Sequence, residues 1–291
     1  MKTQAAASIF FLATSLPTAL GWGTLGHQTV AYIATNFGCA TKTKFQGILG
    51  DTSTNYLASV ATWADTYRYS DEGTWTAGFH FIDANDNPPS SCGVDYSRDC
   101  GDAGCVVSAI KNYTSRVQST SLSDADVTTA AKFIIHFIGD IHQPLHDEGL
   151  DLGGNTIDVT FDGESTNLHH IQWDTNMPEK YVGGYALSDA KTFAATLTTK
   201  IKTGSYKSEK ASWLDGIDLS DPVTSATSWA NDSNAYVCST VMPDGISAVE
   251  KTDLSGAYYT KAIPVVELQI AKAGYRLAAW LDLIATGETG L

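Results

Sequence analysis

The sequence is short of positive charge. Of its 291 residues, 18 are Lys or Arg and 32 are Asp or Glu, which gives a formal net charge of −14 at pH 7. A surface with this balance repels polyanions, so the composition excludes proteins that hold nucleic acid on a broad basic face. Any phosphate that the chain binds has to be met by a few local cations in a cleft.

Long apolar runs are also missing beyond the first 20 residues. No later stretch reaches the roughly 18 unbroken apolar residues of a membrane-spanning helix, so we expect no membrane association. The opening segment has Lys2, an apolar run over 9–20, and the small residues Ala19 and Gly21 just before Trp22. This pattern predicts a secretory signal peptide over residues 1–21 and a secreted, extracellular protein.

Repeats, low-complexity tracts and Gly/Ser/Pro-rich linkers are absent as well. Residues 22–291 show no break in composition, and 43% of the chain is hydrophobic, which is enough for a sizeable core. The sequence therefore predicts one domain over 22–291.

Cysteine is sparse, with five residues in the chain. In a secreted protein Cys92, Cys100, Cys105 and Cys238 predict two disulfides, with Cys39 left over. Cys100 and Cys105 enclose a short Gly-rich loop, which favours a local bond and leaves Cys92 for Cys238. The spacing alone keeps all three pairings open.

Most of the hydrophobic periodicity is helical. Apolar stripes predict helices after His27, over 56–67, 106–117 and 125–143, in a helix capped by Ser188, and over 266–284. Residues 86–104 are rich in Pro, Asn, Gly and Asp and predict a loop. Alternation of apolar and polar residues over 156–161 predicts a short strand or hairpin. We expect an all-α domain with one minor β-hairpin.

One stretch, FIIHFIGDIHQPLHDE at 133–148, carries three histidines and two aspartates among apolar residues. His136 and Asp140 are four apart, so on a helix they share a face and can bind one ion. Pro144 ends or kinks the helix near Gln143, and the following turn directs His146 into the same space. His142 points to the opposite face and is interpreted as a bystander. A buried helix with hydrogen-bonded polar residues would show the same pattern.

The other histidines favour a metal site over a buried helix with hydrogen-bonded polar residues. His27, His80 and the pair His169-His170 accompany Asp65 and Asp174, and His170 repeats the four-residue spacing with Asp174. Imidazole and carboxylate ligands without thiolate are typical of zinc in hydrolytic sites. A single catalytic zinc needs only three protein ligands, so this inventory indicates several ions. The sequence contains no HExxH, the motif of the commonest zinc-protease helix.

The chain resembles the secreted single-strand-specific nucleases of the S1/P1 type, whose superfamily includes the zinc-dependent phospholipases C. The resemblance covers nearly all of 22–291 and rests on WGTLGH (22–27), TWADTYR (62–68), HFIDANDNPP (80–89), DCGDAGC (99–105), HFIGDIHQPLHDE (136–148), GGN (153–155) and WDTNMP (173–178). It implies a helical phospholipase C/P1 nuclease-like fold and a cleft with three zinc ions.

Carried over residue by residue, the resemblance assigns ligands to each ion. The first ion takes Asp65, His80, His136 and Asp140. The second takes His146, one histidine of the 169–170 pair, and Asp174. The third takes His27, Asp140 as a bridge, and the α-amino nitrogen and carbonyl oxygen of Trp22.

The 169–174 segment departs from the family pattern, because HHIQWD is one residue longer than usual between the histidine and the aspartate. In an α-helix His170 shares a face with Asp174, whereas His169 does not, which favours His170 as the ligand. If the extra residue is absorbed as a bulge, His169 is the ligand instead.

The resemblance also implies further roles. Asp65 and Arg68 belong to the catalytic residues, with Arg68 as a fixed cation one helical turn from Asp65. Phe81 and Asp83 bind a base, although core packing and loop capping explain them equally well. The implied activity is endonucleolytic hydrolysis of single-stranded DNA and RNA to 5′-phosphate products, with 3′-nucleotidase activity.

Two other functions remain open on the sequence: a zinc-dependent phospholipase C, and a non-catalytic zinc-binding protein with closed coordination. HFIDANDNPP resembles the nucleases more than the lipases. We expect a monomer with no obligate protein partner. Asn112 and Asn231 stand in glycosylation sequons.

Overall fold

The structure, a computed structural model, describes residues 22–38 and 41–291. The predicted signal peptide and Cys39 lie outside these residues. The described part contains the following α-helices: α1 (Thr24–Phe37), α2 (Thr41–Leu49), α3 (Trp63–Tyr67), α4 (Tyr96–Asp99), α5 (Val106–Val117), α6 (Asp124–Asp140), α7 (Asp151–Gly154), α8 (Met177–Val182), α9 (Leu187–Lys202), α10 (Pro222–Tyr236), α11 (Ile246–Val249) and α12 (Ala257–Thr286).

Shorter helical segments of other types connect them. Three are 3₁₀ segments, at Thr74–His80, Pro144–Asp147 and Ser212–Leu214, and two are π segments, at Leu168–Asn176 and Val237–Val241. Strands β1 (Asp158–Phe161) and β2 (Glu164–Asn167) pair as an antiparallel hairpin, and they form the only sheet in the described residues. The predicted all-α class with one minor hairpin is confirmed.

The core lies between α1, α6 and α12. Helix α12 is buried over most of its length and packs on α1, which also contacts α9, while α5 packs along α6. Ser123 starts α6 by accepting a hydrogen bond from the amide of Asp126, and Gly287 ends α12 in the left-handed conformation. No helix in the described residues is both long and apolar enough to cross a bilayer.

Two helix predictions need correction. The predicted helix over 56–67 is helical only in α3, because residues 55–62 form turns. One carbonyl of these turns, that of Ala61, accepts a hydrogen bond from His136 Nδ1 at 2.6 Å instead of serving a helix ladder. Helix α9 begins at Leu187 after Ala186, whose amide donates to Asp189, so Ser188 lies inside the first turn and is not the cap.

Both expected disulfides are present. Cys92 bonds to Cys238 and so joins the 86–104 segment to the π segment after α10, while Cys100 and Cys105 close a local loop. The 86–104 segment is a loop as predicted, except for the short helix α4.

Candidate metal centre

Four elements bring five of the predicted ligands into one buried cluster. Helix α6 supplies His136 and Asp140, α1 supplies His27, and α3 and the end of the first 3₁₀ segment supply Asp65 and His80. We call these five residues the first cluster. Asp65 is 7% exposed and the other four side chains are at most 1% exposed, so bulk water does not solvate their charges.

Asp140 is at the centre of the first cluster. Its Oδ2 lies 3.0 Å from His80 Nδ1 and 3.2 Å from His136 Nε2, and its Oδ1 lies 3.2 Å from His27 Nε2. Asp65 Oδ1 lies 3.4 Å from His136 Nε2. One carboxylate therefore faces three imidazoles on two sides, which is the geometry expected of a bridging ligand.

Close approach of His27 to α6 depends on a glycine. A Cβ at Gly139 would lie 2.7 Å from His27 Nδ1, so any larger residue there would displace the ring. The rings of His27 and His136 stack with centroids 3.8 Å apart. Gly139 thus explains how an imidazole from α1 reaches the ligand face of α6.

The charges in the first cluster favour a bound cation. Burial alone would lower the pKa of His136, but the carboxylates of Asp140 and Asp65 outweigh burial and raise it to about 10. Burial would raise the pKa of Asp140, yet the charge of His136 and hydrogen bonds hold it well below its ordinary value. Burial lowers the pKa of His80 to about 4 despite its bond to Asp140. Two ionised carboxylates are therefore enclosed among imidazoles, where a proton or a metal ion can balance them.

His146, His169 and Asp174 form a second cluster, with candidate ligand atoms within 4.8 Å of one another. His169 Nε2 lies 3.6 Å from Asp174 Oδ2, and the rings of His146 and His169 are 4.7 Å apart. All three side chains are buried. Burial raises the pKa of Asp174 well above its ordinary value, although a hydrogen bond from Gln143 opposes this shift.

The backbone orients the histidine rings in both clusters. The Nδ1 atoms of His136, His146 and His169 donate to the carbonyls of Ala61, His80 and Gly153, at 2.6, 2.7 and 2.5 Å. When these rings are neutral, the proton is on Nδ1 and the lone pair of Nε2 is available to a metal. Most metal-binding histidines in proteins donate the N–H that does not face the metal to a carbonyl, a carboxylate or a water in this way.

The 169–174 segment is a π-helix, Leu168–Asn176. The α-helical geometry that favoured His170 is therefore absent, and the wider turn brings residues five apart onto one side. This is the bulged alternative, and it places His169 beside Asp174. The side chain of His170 is not among those that the structure describes.

Trp22 is fully buried and immediately precedes Gly23. The amide of Gly23 donates to the carbonyl of Asp174 at 2.8 Å, which holds the start of α1 against the second cluster. His27 follows one turn later and enters the first cluster. Trp22 therefore begins a segment that contacts the second cluster at Gly23 and the first cluster at His27.

Arg68 is 6% exposed. Its positive charge lowers the pKa of Asp174 and so opposes the effect of burial on that carboxyl group. Its guanidinium lies over the ring of Tyr69 and donates to the hydroxyl of that residue at 3.0 Å. A buried cation beside the carboxylates is the local positive charge that the acidic composition requires for binding an anion.

Phe81 and Asp83 line a cavity of about 190 Å³ that reaches His169 of the second cluster. Sequence reasoning missed several of its other lining residues, including Leu145, Leu152 and Asn155. Leu152 is 67% exposed and has a left-handed backbone, with φ at 55°. An exposed apolar side chain on a strained turn is typical of a binding site, and only the GGN motif that follows it marked this region in the sequence.

Gln143 was also missed, although it lies within the metal motif. Its Nε2 donates to Asp174 Oδ1 at 2.5 Å and its Oε1 accepts from the amide of Leu145 at 2.6 Å. The side chain thereby fixes an aspartate of the second cluster and caps the 3₁₀ turn that carries His146. His142 lies outside both clusters: its Nδ1 donates to the carbonyl of Ile138, and its Nε2 accepts from Arg276.

The donor set fits zinc. Asp140 Oδ1 and Asp65 Oδ1 have ion-pair contacts with neighbouring histidines, but they accept no hydrogen bond from the described residues. His80 Nε2 is also buried and has no hydrogen-bond partner among these residues. Buried polar atoms are rarely left in this state without a partner such as an ion. Nitrogen and carboxylate donors without thiolate are the ligands of catalytic rather than structural zinc sites.

Comparison with known proteins agrees with this geometry. The model of the S1/P1 Nuclease family matches residues 22–286. Nuclease S1 of Aspergillus oryzae is 63% identical over 267 residues, covering 91% of this chain and 92% of the relative. Nuclease P1 of Penicillium citrinum is 53% identical, covering 92% and 99%, and Endonuclease 3 of Arabidopsis thaliana is 33% identical, covering 98% and 96%.

Proposed function

This chain belongs to the S1/P1 nuclease family, and from that membership we propose that its two buried clusters hold three zinc ions for the hydrolysis of single-stranded DNA and RNA. The chain is a phosphodiester hydrolase and a single-strand-specific endonuclease. The observation that carries the zinc proposal is the convergence of eight His and Asp side chains, distant in sequence, in two buried groups.

We assign the ions as follows. Asp65, His80, His136 and Asp140 hold the first ion, and His146, His169 and Asp174 hold the second. The third is held by His27, by Asp140 as a bridge, and by the α-amino nitrogen and carbonyl oxygen of Trp22. One carboxylate oxygen of Asp140 faces His27 and the other faces His80 and His136, and this arrangement supports the bridging role.

Zinc, when bound there, supplies a lowered pKa for nearby water and positive charge beside the departing oxygen. The residues of the chain supply the remaining charges of the site. Arg68 adds a fixed cation against the phosphate, and burial of the clusters limits competing water. Because Asp65 and Asp140 are held ionised, they keep the centre negative until cations enter it. The products proposed are 5′-phosphates, and the same centre also removes 3′-phosphates from nucleotides.

A base binds in the Phe81 cavity in this proposal. Phe81 offers a ring face for stacking and Leu152 an apolar side chain at the rim, while Asp83 accepts from ring or exocyclic N–H groups. The cavity opens onto His169, so a base seated there brings its own phosphate to the clusters. A paired base in a duplex cannot enter it, which explains selection for single strands.

Phe81→Ala should reduce kcat/KM on single-stranded DNA by about 10- to 100-fold, because base stacking on an aromatic ring is worth about 1–3 kcal/mol. Initial rates on denatured DNA measure the effect. Phe79→Ala is the matched control, because the ring of Phe79 lines a different groove and its loss should change the rate little. An equal loss in both variants would contradict a specific role for Phe81.

His169→Ala should lose one zinc equivalent, whereas His170→Ala should keep all three. The π-helix places His169 beside Asp174, and His170 is its immediate neighbour and therefore a close control. Metal analysis of the two purified variants by mass spectrometry measures the difference. Retention of three ions in His169→Ala together with a loss in His170→Ala would return the ligand role to His170.

We further propose a secreted monomer made of the single domain 22–291, released by cleavage of residues 1–21. The two disulfides support an oxidising compartment. The function is tested by incubating equal masses of denatured and duplex DNA with the protein and sequencing the product ends. We expect rapid internal cleavage of the denatured DNA with 5′-phosphate ends. Equal cleavage of both substrates, or 3′-phosphate ends, would contradict the proposal.

A further inference from the structure

The backbone of Gln143 contacts residues of both clusters. Its amide donates to the carbonyl of Asp140 at 2.9 Å, and its carbonyl accepts from the amide of His146 at 2.9 Å. Pro144 follows it and disfavours the α conformation, so the backbone of Gln143 is extended, with φ at −94° and ψ at 118°. The chain therefore turns away from α6 at this residue and begins the turn that carries His146.

The side chain of Gln143 reaches the second cluster. It is fully buried, and its two polar atoms bond to Asp174 Oδ1 and to the amide of Leu145. The amide of Leu145 can only donate, so the atom that faces it is Oε1, and Nε2 must then face Asp174. The turn thereby fixes which end of the Gln143 amide is presented to the carboxylate.

This N–H donor acts on one oxygen of Asp174, while the other oxygen faces a proposed ligand. Oδ2 lies 3.6 Å from His169 Nε2, whereas Oδ1 accepts from Gln143 at 2.5 Å. Asp174 is ionised when it binds a metal, and an N–H donor bonds more strongly to an ionised carboxylate than to a neutral acceptor. The amide of Gly23 also holds the carbonyl of Asp174. Asp174 therefore cannot rotate its carboxylate without losing the bond to Gln143.

We propose that Gln143 is a positioning residue that sets the affinity of the second cluster for its metal ion, although it is not a ligand. It acts on two of the three ligands, because its side chain orients Asp174 and its turn carries His146. The inference rests on the proposed zinc centre. Hydrogen-bond partners of metal ligands typically contribute about 10- to 100-fold to metal affinity or activity.

Gln143→Asn separates the two bonds of the side chain. Asn is favoured at a position that caps a turn, so it can still accept from the amide of Leu145, but it is one methylene too short to reach Asp174. We expect one of the three zinc ions to bind about 10- to 100-fold more weakly than in the wild type, as measured by competition with a chelator. Three wild-type affinities in Gln143→Asn would overturn the inference and leave the zinc centre intact. A wild-type protein that binds no zinc would overturn both.

Added zinc distinguishes positioning from a direct part in the reaction. At limiting zinc the rate of Gln143→Asn on denatured DNA should fall with the occupancy of the weakened ion. Excess zinc should restore the rate to near the wild-type value, because Gln143 itself does not touch the substrate in this proposal. A rate that stays low when all three ions are bound would contradict a role through metal affinity alone.

Gln269→Asn is the matched control. Gln269 is also fully buried, and its Nε2 donates to the carbonyl of His142, which is not a proposed ligand. The same shortening there should lower Tm and leave the affinities of all three ions unchanged. An equal loss of zinc affinity in Gln269→Asn would show that general loosening of this region, and not the bond to Asp174, weakens binding.

A double variant tests which ion Gln143 serves. His169→Ala removes a proposed ligand of the second ion, so Gln143→Asn has no further ion to weaken if it acts only there. We expect His169→Ala and His169→Ala with Gln143→Asn to bind the two remaining ions equally well. A further loss of zinc affinity in the double variant would place the action of Gln143 outside the second cluster.

Discussion

Asp140→Asn should reduce the nuclease rate by more than about a thousandfold and should lower the zinc content and the thermal stability together. Loss of a single charge-stabilising group in an active site costs about a hundred- to a thousandfold, and Asp140 serves two ions in this account. The amide keeps the shape of the carboxylate but removes the charge that faces His27, His80 and His136. Because a metal ligand stabilises the folded state, the loss should also appear in Tm.

Asp232→Asn is the control for Asp140→Asn. Asp232 pairs with Lys272 and Arg276 away from both clusters, so its loss destabilises the protein without removing a ligand. We expect a lower Tm, three bound ions and an unchanged rate per folded molecule. If Asp140→Asn retained the full rate when purified and folded, Asp140 could not be the bridge.

One extra residue before Trp22 should remove about one zinc and reduce the rate by at least about a hundredfold. If the α-amino group of Trp22 is a ligand, a peptide bond at that nitrogen delocalises its lone pair into a carbonyl group, so the nitrogen no longer binds metal well and the carbonyl of Trp22 loses its chelate partner. An α-amino group has an ordinary pKa of about 7.7–8.0, so a metal ion displaces its proton readily. In this account, removal of residues 1–21 completes the active site.

The same polypeptide can serve as its own control in this experiment. A chain with a cleavable N-terminal extension is assayed for zinc and rate, then cut by a protease that leaves Trp22 first, and assayed again. We expect the third ion and the rate to appear only after the cut. Equal zinc and equal rate before and after cleavage would exclude the terminal amine as a ligand.

Part of the candidate metal centre could be predicted from the sequence because two of its residues follow helix geometry. His136 and Asp140 are four residues apart in an unbroken stretch of apolar residues, and that spacing alone places both side chains on one face of α6. Pro144 has no backbone N–H to donate, so the helix cannot continue through it. These are local rules, and local rules can be applied to a single sequence.

Features that depend on distant contacts were harder to predict. The turns over 55–62 keep helical periodicity in their apolar residues, but Ala61 points its carbonyl at His136, which lies 75 residues away. The π-helix at 168–176 absorbs one extra residue so that His169 can meet Asp174, and α-helical spacing pointed to His170 instead. Leu152 adopts a left-handed backbone that no propensity favours, and only the neighbouring glycines indicate it.

The central claim is that the two buried clusters form a zinc centre for cleavage of single strands, and a zinc titration tests it most directly. Protein freed of metal by a chelator is mixed with increasing zinc, and bound zinc and the rate on denatured DNA are measured in the same samples. The account predicts no activity without metal, tight binding of three equivalents and full rate only as the third is bound. Full activity in the metal-free protein, or saturation of rate and binding at one equivalent, would contradict it.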